Sequence, residues 1–127
     1  MNTERQSELV HREITEKVIK AFFDVHRELG HGFLESIYEN ALALVLQSEG
    51  LLVERQKPVT VSFRGQEIGE FRLDLVVGGF VVVEVKAVST LNKAHEAQLL
   101  NYLKATGLHV GLVLNFGPKA EFSRRVL

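Results

Sequence analysis

The 127-residue sequence predicts a single α/β domain in which a mixed β-sheet is flanked by α-helices. Two observations support this prediction. Apolar residues recur at helical spacing over about 12–29, 34–48 and 92–106, and they alternate or run continuously over 51–56, 59–63, 71–77, 80–87 and 108–116. The last strand follows a helix, and a strand that returns to its sheet through a helix runs parallel to its neighbour. The sheet should therefore be mixed.

Composition places the chain among globular proteins. Hydrophobic residues make up 46% and charged residues 24%, and the length allows one domain with a real core. The absence of cysteine excludes a disulfide framework and a thiolate zinc site. No apolar run could span a bilayer, and the charged N-terminus does not resemble a secretory signal. We therefore expect a cytoplasmic protein, with a flexible segment over 1–11 and one domain over 12–127.

The predicted helices end at glycines. Gly30 follows the first helix, Gly50 the second and Gly107 the third, as expected for residues that accept a left-handed conformation. In the second helix Glu35 and Glu39 are four residues apart and share a face.

The strands are separated by turn residues. We expect a break near Pro58, a turn over 64–66, and a bulge or break at Gly69. Gly117 and Pro118 end the last predicted strand and leave a short basic tail.

The central feature is the segment from Phe71 to Lys86, which reads as a hairpin that turns at two consecutive glycines. Strict alternation places Arg72, Asp74 and Val76 on one face of the first strand, opposite Phe71, Leu73 and Leu75. In the second strand Phe80, Val82, Glu84 and Lys86 share a face. Charges in so apolar a hairpin are costly unless they are paired or bind a metal.

Two interpretations of these charges remain open. Asp74 and Glu84 are carboxylates on neighbouring strands, and such oxygen donors suit Mg²⁺ or Mn²⁺. Lys86, beside them, could stabilise charge on a phosphodiester or help orient a water. The alternative is a structural salt bridge from Lys86 to Glu84 or Asp74.

The residues also carry a resemblance to a known family. Asp74, followed after a hairpin by Glu84-Val85-Lys86, resembles the signature of the PD-(D/E)XK nuclease superfamily. More narrowly, the segment from Gly32 to Tyr38 is similar to the motif of the GxxExxY family, and the blocks FRLDLVV, VVVEVKAV, AQLLNYLKATG and GLVLNFG also fit. Leu73 stands where the signature has proline.

The resemblance implies a restriction-endonuclease-like fold and a set of site residues. Asp74 and Glu84 would be metal ligands and catalytic acids, with Lys86 as the catalytic lysine. The Val85 carbonyl and the helix-borne Glu35 would complete the ligand set for Mg²⁺, with Mn²⁺ as a substitute. Gln98 and Tyr102, four apart on the third helix, would orient Lys86 or touch a phosphate. For Tyr38 we favour a packing role, and we regard Glu39 as a solvent-side neighbour of Glu35.

Two functional hypotheses follow. The first is a Mg²⁺-dependent nuclease that cuts DNA, with RNA as the second choice. The second is a non-catalytic nucleic-acid-binding or accessory module on the same fold. Net charge is −1 overall, but from residue 86 onward six lysines and arginines face two glutamates, a net of +4 that could contact a phosphate backbone. Because so small a chain offers limited substrate contact, a homo-oligomer is compatible with either hypothesis.

Overall fold

The computed structural model describes the backbone of residues 3–127 and the side chains of residues 11–127. Three helices and five strands are present in that part of the chain. They follow the order α1 (Thr3–Leu29), α2 (Glu35–Ser48), β1 (Val53–Phe63), β2 (Gln66–Val77), β3 (Val81–Lys86), α3 (Lys93–Thr106), β4 (Val110–Phe116) and β5 (Ala120–Val126).

The strands form one sheet in the order β1-β2-β3-β4-β5. Neighbouring strands are antiparallel except β3 and β4, which are parallel and joined through α3. The predicted mixed sheet is confirmed, and the strand that follows a helix is the parallel one. None of the helices in the described residues is long and apolar enough to cross a membrane.

Helices cover both faces of the sheet. Helices α1 and α2 pack on one face, where their buried residues meet side chains of β2, β3 and β4, including Leu75, Val83 and Leu112. Helix α3 packs on the other face, where Leu99 and Leu103 meet Val76, Val82 and Val113. Strand β3 is therefore buried on both sides, which explains its continuous run of valines.

Four boundaries differ from the sequence prediction. Strand β2 begins at Gln66 rather than near residue 71, because its first residues pair with the end of β1. Helix α1 begins at Thr3 rather than near residue 12; of the segment expected to be flexible, residues 1 and 2 lie outside the described residues. Strand β1 runs without interruption through Pro58, because an edge strand tolerates a residue that lacks an N–H group. The tail after Pro118 is strand β5, whose polar sequence acquires strand structure by pairing with β4.

The alternation predicted for β2 is wrong at Asp74. Phe71 and Leu73 pack with the α3 cluster, whereas Leu75 and Val77 pack with the α1 and α2 cluster, so the three residues 71, 73 and 75 do not share one buried face. The neighbouring strand has its own irregularity at this level, where Gln56 has a φ of 49°. The bulge expected at Gly69 is present next to that residue. Val61 pairs with Gly69 and the following Ser62 pairs with Glu67, so Ile68 is the extra residue of β2.

Candidate metal and active site

Asp74 and Glu84 lie where strands β2 and β3 diverge. The paired part of these strands runs only from Val77↔Val81 to Leu75↔Val83, and Asp74 and Glu84 come next. An Asp74 carboxylate oxygen accepts a hydrogen bond from the Val85 N–H at 2.8 Å, and a Glu84 carboxylate oxygen accepts one from the Asp74 N–H at 3.4 Å. The fork between the strands therefore fixes both carboxylates side by side, as the hairpin predicted.

The environment of this pair opposes a second negative charge. Glu84 is only 4% exposed. Burial, and next the charge of the Asp74 carboxylate, raise the pKa of Glu84 to about 9, although the Lys86 ammonium acts in the opposite direction. With this raised pKa, Glu84 favours its protonated form at neutral pH when no cation is bound, and a bound cation would favour the carboxylate instead.

Lys86 extends from the end of β3 towards helix α3. Its ammonium donates a hydrogen bond to the Gln98 side-chain oxygen at 3.1 Å. Among the ion pairs of the described side chains, none involves Lys86. The ammonium is therefore held by a neutral amide and is near enough to Glu84 to act on its pKa, and the simple salt-bridge interpretation is not what the structure shows.

Tyr102 lies one helical turn after Gln98. Its ring stacks on Phe71 with 4.5 Å between centroids. Burial raises the pKa of Tyr102, and the charges of Glu84 and Asp74 add to this effect, which shows that the phenol and the carboxylates share one environment. The structure thus brings both predicted α3 residues to the site.

Glu35 reaches the same end of β3 from the first turn of α2. Its carboxylate accepts a hydrogen bond from the N–H of Ala87, the residue after Lys86, at 3.2 Å. Two further residues of its motif make this possible. Gly32 has a φ of 111° in the turn between α1 and α2, and the Tyr38 hydroxyl donates to the Gly30 carbonyl at 2.6 Å. Tyr38 is fully buried, which agrees with its expected packing role.

The segment after Lys86 is held by residues that the sequence analysis did not identify. Buried Asn115, at the end of β4, accepts from the Val88 N–H and donates to the Val88 carbonyl, both at 2.9 Å. A polar side chain at the end of an otherwise apolar strand was the available signal.

A second omission is Glu39, which is buried at 8% exposure and bonded to Arg55 and Gln56. Its assignment as a solvent-side residue is wrong, because β1 packs over it.

The donor set fits a hard divalent cation that retains water ligands. Within the residues the structure describes, no group of three or more His, Cys, Asp or Glu side chains is close enough to hold a metal ion. Two adjacent carboxylates are nevertheless present, and Mg²⁺ is usually held by one or two carboxylates and several waters. The adjacent carboxylate oxygens of Asp74 and Glu84 are consistent with such an ion.

Fold and site together define a class: an α/β domain that presents two acids and a lysine from central strands of a mixed sheet. The family comparison agrees with this class. The model of the PD-(D/E)XK nuclease superfamily matches residues 12–126, and the chain belongs to that superfamily.

One solved structure shows the same fold. The chain is similar to the protein described as "Crystal structure of SSO0001", with a TM-score of 0.58 and 18% sequence identity, over 72% of this chain and 48% of that one. The chain thus spans about half the length of that protein, and the likeness concerns the fold alone. No curated protein was found to match the chain.

Proposed function

We propose that the protein is a Mg²⁺-dependent nuclease that hydrolyses phosphodiester bonds, with Mn²⁺ as a substitute cation and DNA preferred to RNA. The observation that carries this proposal is the fork at Asp74 and Glu84, where two adjacent carboxylates lie beside an ammonium that Gln98 holds in place. Superfamily membership supports a nuclease and does not identify the substrate.

Each site residue has a distinct task in this proposal. Asp74 and Glu84 would hold the cation, assisted by the Val85 carbonyl and, through water, by Glu35. When bound, the cation supplies positive charge at the phosphate and lowers the pKa of a coordinated water. Lys86 places a second positive charge where negative charge develops on the phosphodiester, and its bond to Gln98 limits the positions that its flexible side chain can occupy.

The nucleic acid would approach across the face that carries α3. Gln98 and Tyr102 lie on this helix, and its exposed Lys93 and Lys104 stand at its two ends. Exposed Arg124, on the edge strand β5, pairs with Leu112 and lies near His11 of α1, so it projects from the opposite face of the sheet and is not part of this approach. Lysines and arginines that neutralise phosphates release counterions, so binding should weaken as the salt concentration rises.

The narrower placement in the GxxExxY family is also part of the proposal. Gly32, Glu35 and Tyr38 act together in the structure, because the turn and the tyrosine hydroxyl place Glu35 at the end of β3.

Two copies of so small a chain would enlarge the contact surface, and size-exclusion chromatography with light scattering would measure such self-association.

The test is cleavage of single-stranded, duplex and branched DNA and of RNA by the native protein and Lys86→Ala. We expect cleavage in Mg²⁺ or Mn²⁺, no cleavage in EDTA, and a loss of about 100-fold or more in Lys86→Ala, in line with the loss of one charge-stabilising group. Circular dichroism should show an unchanged fold in the variant, because Lys86 is only half-buried and its one hydrogen bond is with an exposed residue.

A different result would favour the alternative hypothesis, a non-catalytic nucleic-acid-binding module on the same fold. If no substrate is cut, and one of them is bound equally well by the native protein and Lys86→Ala, the nuclease proposal is wrong.

A further inference from the structure

A polar network centred on the buried carboxylate of Glu39 connects helix α2 to exposed side chains of strand β1. Glu39 is 8% exposed, and its two carboxylate oxygens accept from the Arg55 guanidinium at 3.0 Å and from the Gln56 amide at 2.6 Å. The same guanidinium nitrogen also donates to the Asn40 side chain. A carboxylate so fully bonded fixes the segment of β1 that donates to it.

That segment lies directly opposite Asp74. Arg55 pairs with Leu75 and Lys57 pairs with Leu73, so Gln56 faces Asp74 although these two residues do not themselves form a ladder pair. The Gln56 carbonyl accepts a hydrogen bond from the Arg72 side chain at 3.2 Å, which attaches it to β2 on the other side of Asp74.

Gln56 also has an unusual backbone conformation. Its φ of 49° lies in the left-handed region, which a glutamine within a strand rarely adopts. Both strands change their buried face at this level: Val53 and Leu75 pack towards α1 and α2, while Val59 and Leu73 pack towards α3. The irregularity therefore rotates the two strands together.

This rotation has a consequence for the carboxylate of Asp74. A regular ladder would continue the β2–β3 pairing through Asp74, whereas the observed backbone leaves the fork in which its carboxylate accepts the Val85 N–H at 2.8 Å. From these contacts we propose that Glu39 and Gln56 form a positioning pair that holds Asp74 in its place at the site. Glu39 fixes the Gln56 side chain, Gln56 keeps its left-handed backbone, and Asp74 is turned towards β3. The functional meaning of this pair rests on the proposed nuclease site.

The most direct test uses the metal-free protein and needs no catalysis. The Val85 amide proton reports on Asp74, because that carboxylate is its acceptor. In Gln56→Gly the left-handed φ remains accessible while the bond to Glu39 is lost. We expect hydrogen exchange of the Val85 amide, measured by NMR, to accelerate about tenfold or more, while the amides of buried Leu112 and Val113 exchange as in the native protein.

A second readout and a matched control complete the experiment. Mn²⁺ affinity, measured by calorimetry, should fall about 10- to 100-fold in Gln56→Gly, the usual effect of removing a group that orients a metal ligand. The control is Glu54→Gln, which removes a surface ion pair with Lys57 on the same strand and should change neither quantity. Glu39→Gln keeps the side-chain shape but turns one acceptor into a donor, and it should reproduce the faster Val85 exchange.

The outcomes separate this proposal from the nuclease proposal. Native-like Val85 exchange in a folded Gln56→Gly or Glu39→Gln protein would overturn the positioning role, and so would a loss of protection throughout the sheet in both variants. If the native protein cleaves no nucleic acid while Val85 exchange responds as expected, the positioning pair stands and the nuclease proposal fails.

Discussion

Glu84 is an ionisable group in a strand that is buried on both faces, and its burial makes the stability of the protein depend on pH. With its pKa raised to about 9 from an ordinary value of 4.5, the folded protein binds more protons than the unfolded chain between these two pH values. The contribution of Glu84 to the free energy of unfolding is therefore most favourable at low pH and decreases as the pH rises towards 9.

Replacement of Glu84 by glutamine should remove this dependence. In EDTA, the free energy of unfolding of the native protein is expected to decrease between pH 5 and pH 9, by an amount on the order of several kcal/mol since one pKa unit corresponds to about 1.4 kcal/mol. Glu84→Gln should show a much flatter profile and greater stability at pH 9. Urea unfolding across this range is the measurement, with exposed Glu70→Gln as the control. Equal pH dependence in the native protein and Glu84→Gln would contradict the assigned pKa.

Individual residues differ in how far the sequence could predict them. Asp74, Glu84 and Lys86 could be singled out because these charges interrupt an apolar pattern, although the strand alternation did not place Asp74 on its correct face and the roles of all three residues stay predictions. Glu39 could not be assigned in the same way. Its burial depends on β1 crossing over α2 and on the donors that Arg55 and Gln56 supply from 15 or more positions away in the chain.

At the scale of elements, the turn between α1 and α2 sets the position of Glu35. The Tyr38 hydroxyl donates to the Gly30 carbonyl and accepts from the Phe33 N–H, at 2.6 and 3.2 Å, while its ring stacks on Phe116. A single buried side chain thus holds both ends of the turn.

Tyr38→Phe should retain the ring packing and lose both hydrogen bonds. We expect the protein to lose about 1–3 kcal/mol of stability, because the two backbone groups are left without their partner. Chemical denaturation measures this loss. An unchanged unfolding midpoint would show that the hydroxyl does not support the turn.

The segment that follows β3 is the second element that shapes the site. Its Val88 backbone is held by Asn115, and Gly117 passes so close that an added Cβ would lie 2.2 Å from the Val88 carbonyl oxygen. The carbonyl oxygen of Gly117 itself lies 2.8 Å from Nε2 of the His26 ring, and this contact attaches the segment to α1.

Gly117→Ala should therefore displace the segment that leads out of Lys86. We expect a loss of about 1–3 kcal/mol, the typical effect of overpacking, together with reduced cleavage. The matched control is Gly69→Ala, since an added Cβ at that position meets nothing within 4 Å and its φ is ordinary. Thermal unfolding of both variants tests the difference; equal melting temperatures would contradict the close approach at Gly117.

Helices were predictable where their periodic pattern extends over several turns, and strands were predictable where the apolar run is long. Helices α2 and α3 and strands β3 and β4 begin and end close to their expected residues, whereas β2 begins five residues before its expected start at Phe71 because Gln66 and the residues after it pair with β1. Strand β5 was not predictable, because its half-buried residues include the charged Glu121 and Arg125, and only pairing with β4 gives the segment regular structure. The continuity of β1 through Pro58 similarly depends on its position at the sheet edge.

At the scale of the whole molecule, the fold brings residues from four elements to one end of β3. Strands β2 and β3 supply the carboxylates and the lysine, α3 supplies Gln98 and Tyr102, and α2 supplies Glu35. The sequence alone could indicate the hairpin as the centre of the site. The positions of α2 and α3 beside it followed only from the resemblance, because Glu35 is 52 residues from its partner Ala87 and the pattern of α3 does not specify which face of the sheet it covers.

The measurement that tests the metal centre most directly is the anomalous difference density of a crystal soaked in Mn²⁺. We predict one strong peak between the carboxylates of Asp74 and Glu84, with the Val85 carbonyl oxygen among its ligands and Glu35 close enough to act through water; the equivalent Mg²⁺ complex should show oxygen distances of about 2.0–2.1 Å. Crystals of Asp74→Ala, soaked identically, should lack the peak. Absence of Mn²⁺ from the native site at saturating concentration, or an equal peak in Asp74→Ala, would contradict the proposed centre.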